Sequence, residues 1–434
     1  MEIIVYTTNL TNRVKYAFSL VIKNVLGHKP VFVTSVEELH SSQFPKINYS
    51  ENIFENALNI VPHSLLFENG IQKQNIQVEK INNIFFFFRT SGNNAFPHDI
   101  FAAAFYLATR YEEYLPHLKD KMGRFCITNS LAFKENFLDE PVINQWAEKL
   151  LFFLNENQQI KIHDNRIFSF LPTIDIDNPW AYLHKGRFRS IAGAVRDLLR
   201  GKTKLVALRK KVLAGKEKDP YDTFSVLKEI HEKFSLKPVY FFLVGKYNKY
   251  GKNPSAKKKP YRKLIKSIAE NNITGIHPSF PSNIYFKELG NEITVLKKTT
   301  KKKITKSRQH FLMLTFPETY CNLIAHGIDE DYTMAFPEKY GFRAGICSPY
   351  PWYDLLKEKK QTLTIVPTCV MDTTLNRYMK LSPQQAKAEI EELIDKVKKV
   401  KGTFVSLWHN ESLSEWEHWK GWKEVYEELL EKIS

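Results

Sequence analysis

Apolar positions along the chain follow two rhythms, a continuous or alternating one for strands and a three-to-four-residue one for helices. Ile3–Tyr6 is a short apolar run, and Asn9–Thr11 supplies a helix cap before Val14, Phe18, Val21, Ile22 and Val25 recur at helical spacing. Gly27 stands where that helix should stop and Val31–Val33 reads as the next strand, so the pattern predicts a β–α–β start and a small α/β domain. Ile84–Phe88 reads as a strand buried on both faces, and Asp99 is placed to cap a helix over Ile100–Tyr114. Pro141 opens another helix, with Val142, Trp146, Leu150, Leu151 and Leu154 as its inward stripe. The polar stretch 155–165 marks a boundary between an N-terminal unit, 1–160, and a C-terminal unit, 166–434.

Beyond that boundary strands and helices alternate. Ile167–Ile176, Val239–Val244, Ile273–Ile276, Leu363–Val366 and Phe404–Trp408 read as strands. The clearest helix begins at Ser382-Pro383, with serine as cap and proline in the first turn, and buries Ile390, Leu393, Ile394, Val397 and Val400. Such alternation over a stretch of this length suits a (β/α) barrel, typically about 250 residues.

Composition narrows the class. With 434 residues, 43% hydrophobic and 25% charged, the chain can bury a large core and is not of the disordered type. Cys126, Cys321, Cys347 and Cys369 are widely separated and form no CxxC pair, which argues against a disulfide framework or a cysteine zinc site. The N-terminus has no secretory-signal pattern and no apolar stretch is long enough for a spanning helix, so a reduced, cytoplasmic protein without a transmembrane segment is expected. The net charge of +16 is carried partly by runs such as Lys257–Lys259 and Lys301–Lys303, which read as solvated loops. No RNP motif or zinc finger accompanies them, so no specific nucleic acid is expected, while acidic polysaccharides and anionic membrane surfaces stay open as partners.

Four polar clusters follow apolar strands or lie in nearby loops. Asp175 and Asp177 end one strand at i, i+2, so both carboxylates face one way, and Asn178-Pro179 then breaks the strand. Two carboxylates so close ionise together only if a cation or separate roles divide them. His277 follows Ile273–Ile276 and is stopped by Pro278, Arg308 and His310 form a third cluster, and His409 follows Phe404–Trp408. Each histidine alone is better read as a core hydrogen-bonding residue; together, at the strand ends where barrels carry their sites, they point to chemistry.

Thr173-Ile-Asp175-Ile-Asp177, Gly275-Ile-His277 and Leu407-Trp408-His409 resemble the motifs of the polysaccharide deacetylases, the NodB-like group of carbohydrate esterase family 4. Arg308-Gln-His310-Phe-Leu, Gly341-Phe-Arg343 through Tyr350, and Met371-Asp372 resemble a divergent bacterial branch in which an α/β domain precedes the barrel. The stretch from Asp99 through Arg110-Tyr-Glu-Glu, with Gly123-Arg124-Phe125, resembles that leading domain. The resemblance implies a distorted (β/α) barrel of the NodB type behind a smaller α/β domain, and a metal-dependent hydrolase that removes N- or O-acetyl groups from a polysaccharide or oligosaccharide.

It also implies roles. Asp177 and His277 would hold a divalent metal, usually zinc, Asp175 would be the base, His409 the acid, and Arg308 would orient the base. Trp408 and Arg343 would contact substrate. Three departures stand out: Ile176 separates the two aspartates, leaving their order of roles open; Thr274 stands where a glutamate is common; and Pro281 stands where the second metal histidine belongs. Either His310 completes the metal set or the site binds metal weakly or not at all, and a non-catalytic carbohydrate-binding relative or a basic scaffold for anionic polymer is the alternative reading.

Overall fold

A computed structural model describes residues 1–90, 96–157 and 160–433. The strands are β1 Glu2–Thr7, β2 Lys29–Val33, β3 Lys46–Tyr49, β4 Leu58–Asn59, β5 Glu79–Ile81 and β6 Ile84–Phe86, then β7 Ser169–Ile176, β8 Val239–Phe242, β9 Ile273–Ile276, β10 Lys306–Ser307, β11 Glu330–Asp331, β12 Tyr350–Asp354, β13 Lys359–Ile365, β14 Val370–Met371 and β15 Thr403–His409. The first four form a parallel sheet in the order β2-β1-β3-β4, and β5 and β6 make a separate hairpin.

The β–α–β opening forms as the periodicity predicts. Thr11 caps the helix Asn12–Phe18 by accepting from the Val14 amide, the coil widens to π-type geometry over Ser19–Val25, and Gly27 takes the left-handed conformation that ends it. Asp99 caps the next helix with one carboxylate oxygen, but that helix spans Ile100–Ala108 and stops well short of Tyr114. Arg110 is left-handed, at φ 56°, and turns its guanidinium inward to Glu112, Glu113 and the Arg343 carbonyl. A contact with distant chain thus overrides the helical pattern. The strand predicted over Ile84–Phe88 ends at Phe86, because the backbone turns left-handed at Phe88. The boundary stretch 155–165 is described except at 158–159, which lie outside the described residues.

The C-terminal half carries a nine-stranded mixed sheet in the order β12-β13-β11-β10-β9-β8-β7-β15-β14. All neighbours are parallel except β12 on β13. From β13 to β14 this is the cyclic strand order of an α/β barrel opened between β13 and β14. Among the described residues no ladder pairs β13 with β14, so a closing pair of the expected barrel is not shown. Strand alternation sorts the core: Val239, Phe241, Tyr332, Val366 and Val405 pack together inside the sheet's curve. Ile174, Ile176, Tyr240, Phe242, Phe404 and Trp408 join the large core cluster beneath the outer helices, which also takes in the N-terminal residues.

The helix Pro383–Lys399 forms with a complete capping box between Ser382 and Gln385, and buries Ile390, Leu393, Ile394 and Val397. No helix among the described residues is long and apolar enough to cross a membrane.

Candidate functional site

The parallel strands β7, β8, β9, β10 and β15 deliver their C-terminal ends to one mouth, and the cleft there holds about 280 Å³. Asp175, Asp177, His277, Gln309, His310 and His409 all line it. In the β7–β15 ladder His409 lies directly opposite Asp175, so register alone sets these two side by side.

Asp177, His277 and His310 each offer one ligand atom, and these atoms lie within 4.8 Å of one another. His277 Nε2 is 3.0 Å from Asp177 Oδ1, and His310 Nε2 is 3.1 Å from Asp177 Oδ2. His277 Nδ1 is 2.5 Å from the Arg308 carbonyl, which can only accept, so Nδ1 carries a proton and Nε2 is the nitrogen turned toward Asp177. Asp177 Oδ1 is buried with no hydrogen-bond partner. Burial alone would raise the Asp177 carboxyl, but the two histidines hold it well below the usual carboxylate range. Burial likewise opposes a charge on His277, while Asp175 and Asp177 raise its affinity for a proton. Two imidazole nitrogens and a carboxylate converging this closely form a donor set that suits a cation with nitrogen and oxygen ligands.

Pro281 sits in a 3₁₀ turn, Phe280–Asn283, and His310 comes instead from the turn after β10. Phe311 and Leu312 in that turn both have positive φ, 61° and 54°, a strained state for large side chains. Two contacts brace it: the Phe311 ring stacks on His310 at 4.0 Å, and Arg124 donates to the Phe311 carbonyl at 2.8 Å. Arg124 also lines the cleft, so the N-terminal region contributes directly to it.

Arg308 is fully buried and spends its guanidinium on Asp175 Oδ1 at 2.9 Å, Thr173 Oγ1 at 2.7 Å, Thr368 Oγ1 at 3.0 Å and the Tyr332 carbonyl at 3.0 Å. The result is one fixed orientation for the Asp175 carboxylate. His409 Nδ1 lies 2.8 Å from Asp372 Oδ1, and its backbone amide donates to Asp372 Oδ2 at 2.7 Å. Burial works against a charged ring, yet Asp372 outweighs it and holds the His409 pKa up at about 10. His409 Nε2 points toward Asp177, 3.9 Å away.

Two expected substrate contacts lie elsewhere. Trp408 is buried, packs at a tilt on Tyr426 with ring centroids 5.2 Å apart and belongs to the helix-facing side of β15, because the strand period that turns His409 into the cleft turns its neighbour out. Arg343 is buried against Glu113, at 2.6 and 2.9 Å, where it joins the two halves of the chain. Asp372 and Glu411 were not assigned roles from the sequence. Asp372 follows β14 directly, and that strand of two residues is too short to show periodicity. Glu411, two positions beyond His409, lines the cleft, and burial raises its carboxyl to about 7 against the pull of His409.

Residues 3–159 match a family of unknown function, DUF7033. No curated protein matches the chain. Among solved structures, a putative polysaccharide deacetylase from Mycobacterium smegmatis aligns at TM-score 0.41 and 13% identity, over 63% of this chain and 86% of that one. The Puue allantoinase aligns at TM-score 0.38 and 10% identity, over 62% and 84%. A probable polysaccharide deacetylase from Pseudomonas aeruginosa PAO1 aligns at 0.38 and 10%, over 61% and 84%. At these scores the likenesses assign no function to the chain.

Proposed function

We propose that the chain is a metal-dependent hydrolase that removes N- or O-acetyl groups from a glycan or glycan precursor. The observation that carries this reading is the convergence, in one open cleft, of a three-residue ligand set with two separately anchored proton-transfer groups. Asp177, His277 and His310 would hold the ion, with zinc favoured by two imidazoles and one carboxylate. A divalent ion held there supplies Lewis-acid polarisation to a carbonyl oxygen and makes a water easier to deprotonate.

The rest falls to the chain's own side chains. Asp175, held by Arg308, is positioned to take a proton from an attacking water. His409, kept protonated by Asp372 at the end of the neighbouring β14, is positioned to give one to the departing amine or alcohol. Phe311, Leu312, Met371 and Leu407 line the same cleft and supply apolar surface for an acetyl methyl or a sugar face. Metal analysis of the purified chain, paired with a deacetylation assay on acetylated chito-oligosaccharides, tests the proposal. Bound metal together with acetate release supports it; a chain that takes up metal stoichiometrically yet releases no acetate from any acetylated glycan or small ester would reject it.

A further inference from the structure

Two stretches following β7 and β8 are set apart from the rest of the molecule by charge. Residues 185–218 hold twelve Lys and Arg against two acidic residues, and residues 246–263 hold eight against none. Their combined excess is larger than the net +16 of the whole chain, so the remainder is slightly acidic. The fold brings the two together: Arg189 donates to the Lys252 and Asn253 carbonyls and lies 4.0 Å over the Tyr247 ring, and Lys258 donates to the His184 carbonyl.

The first stretch folds into a helical hairpin, Arg187–Leu199 and Thr203–Leu213, joined by the buried Asp197–Arg209 pair at 2.7 Å. Gly193 leaves room for the Arg209 guanidinium, which a Cβ there would meet at 2.8 Å. On the opposite side, Phe188, Ile191, Val195, Leu198 and Leu199 recur at i, i+3, i+7, i+10 and i+11 and form one stripe facing solvent. Phe188 is 92% and Leu199 83% exposed. Exposed Arg187, Arg196 and Arg200 flank the stripe, and half-exposed Tyr247 lies under Arg189 of the same helix.

We propose that this hairpin docks the protein on an anionic phospholipid bilayer, the apolar stripe entering the acyl boundary and the surrounding cations meeting lipid phosphates. An aliphatic stripe edged with arginine and an aromatic of mixed character is the pattern of a helix lying in the interface plane. A nucleic acid or other soluble polyanion would use the cations but leave Ile191, Val195, Leu198 and Leu199 in water. A second copy would bring two strongly positive faces together.

Co-sedimentation of the full chain with vesicles tests this without reference to any catalytic activity. Vesicles of phosphatidylcholine mixed three to one with phosphatidylglycerol should bind the chain about tenfold or more better than phosphatidylcholine alone, and salt should weaken that binding. The double variant Phe188→Ser, Leu199→Ser should lose about tenfold or more in vesicle binding at an unchanged circular dichroism melting profile. Arg187→Gln and Arg200→Gln should each cost about fivefold. Equal binding to neutral vesicles, or undiminished binding by the Phe188→Ser, Leu199→Ser chain, overturns the proposal. Salt-sensitive capture by heparin or RNA with no vesicle binding overturns it in favour of a soluble polyanion.

Discussion

Two buried clusters of charge sit in this molecule, one joining its halves and one at the strand ends, and they are built to opposite rules. In the first, Arg110 and Arg343 face Glu112 and Glu113, two charges of each sign. Both guanidinium groups and both carboxylates are engaged: Glu112 also accepts from the Leu131 amide, Arg343 donates to the Ala335 carbonyl, and Arg110 donates to the Arg343 carbonyl. In the second, Asp177 meets two imidazoles, Asp177 Oδ1 has no hydrogen-bond partner, and neither does His310 Nδ1. A saturated cluster has nothing left to bind and serves as a joint. A cluster with buried polar atoms left unpartnered around one carboxylate keeps capacity for a cation or a proton.

That contrast can be broken most severely at Asp177. Asp177→Asn should abolish bound metal and acetyl hydrolysis together, with the chain still folded by circular dichroism; metal content by elemental analysis checks it. Next in size, Asp175→Asn and His409→Ala should each lower turnover by about 10²–10⁴-fold with metal retained. If Asp175→Asn instead lost metal and Asp177→Asn kept it, the roles of the two aspartates would be reversed.

At the joint the damage should appear in stability. Arg343→Met leaves Glu113 buried beside a single arginine and should cost about 3–5 kcal/mol in denaturant unfolding, with turnover per folded molecule little altered. The pH dependence has a definite sign. Burial pushes the Glu113 carboxyl up, but Arg343 and Arg110 more than offset this and hold it below its ordinary value. Its contribution is therefore complete above the unfolded carboxylate pKa and is lost as pH falls through the lower folded one. Glu113→Gln should flatten that acid limb in a series of melts. The smallest expected effects come from residues that brace the cleft: Asp372→Asn and Arg124→Met should each lower activity or metal affinity by about 10–100-fold. For Arg124→Met, an effect on hydrolysis with no effect on metal affinity would show that it serves substrate and not the His310 turn.

Much of the site was legible in the chain because local periodicity reports which side of an element is buried. Asp175, Asp177, His277 and His409 follow apolar runs, and each does stand at the mouth formed by strand ends. The same reasoning also excludes Trp408 from the cleft, since adjacent strand positions face opposite ways; the motif resemblance had drawn it in. Helix caps such as Thr11, Asp99 and Ser382 were equally readable, because a cap depends on three or four consecutive residues.

What the sequence by itself determined, then, is every feature whose cause lies within a few residues: the alternation of strands and helices, the caps, and the shared face of Asp175 and Asp177. Tertiary structure alone decided which distant segments meet. It brought His310 to Asp177 across 133 positions, where Pro281 could not serve, and set Asp372 behind His409. It stopped the helix from Ile100 early so that Arg110 could reach the Arg343 carbonyl, and it made Arg343 part of a joint. Those outcomes depend on sheet order and loop geometry, which are set by pairings between remote strands and leave no local trace in the order of residues.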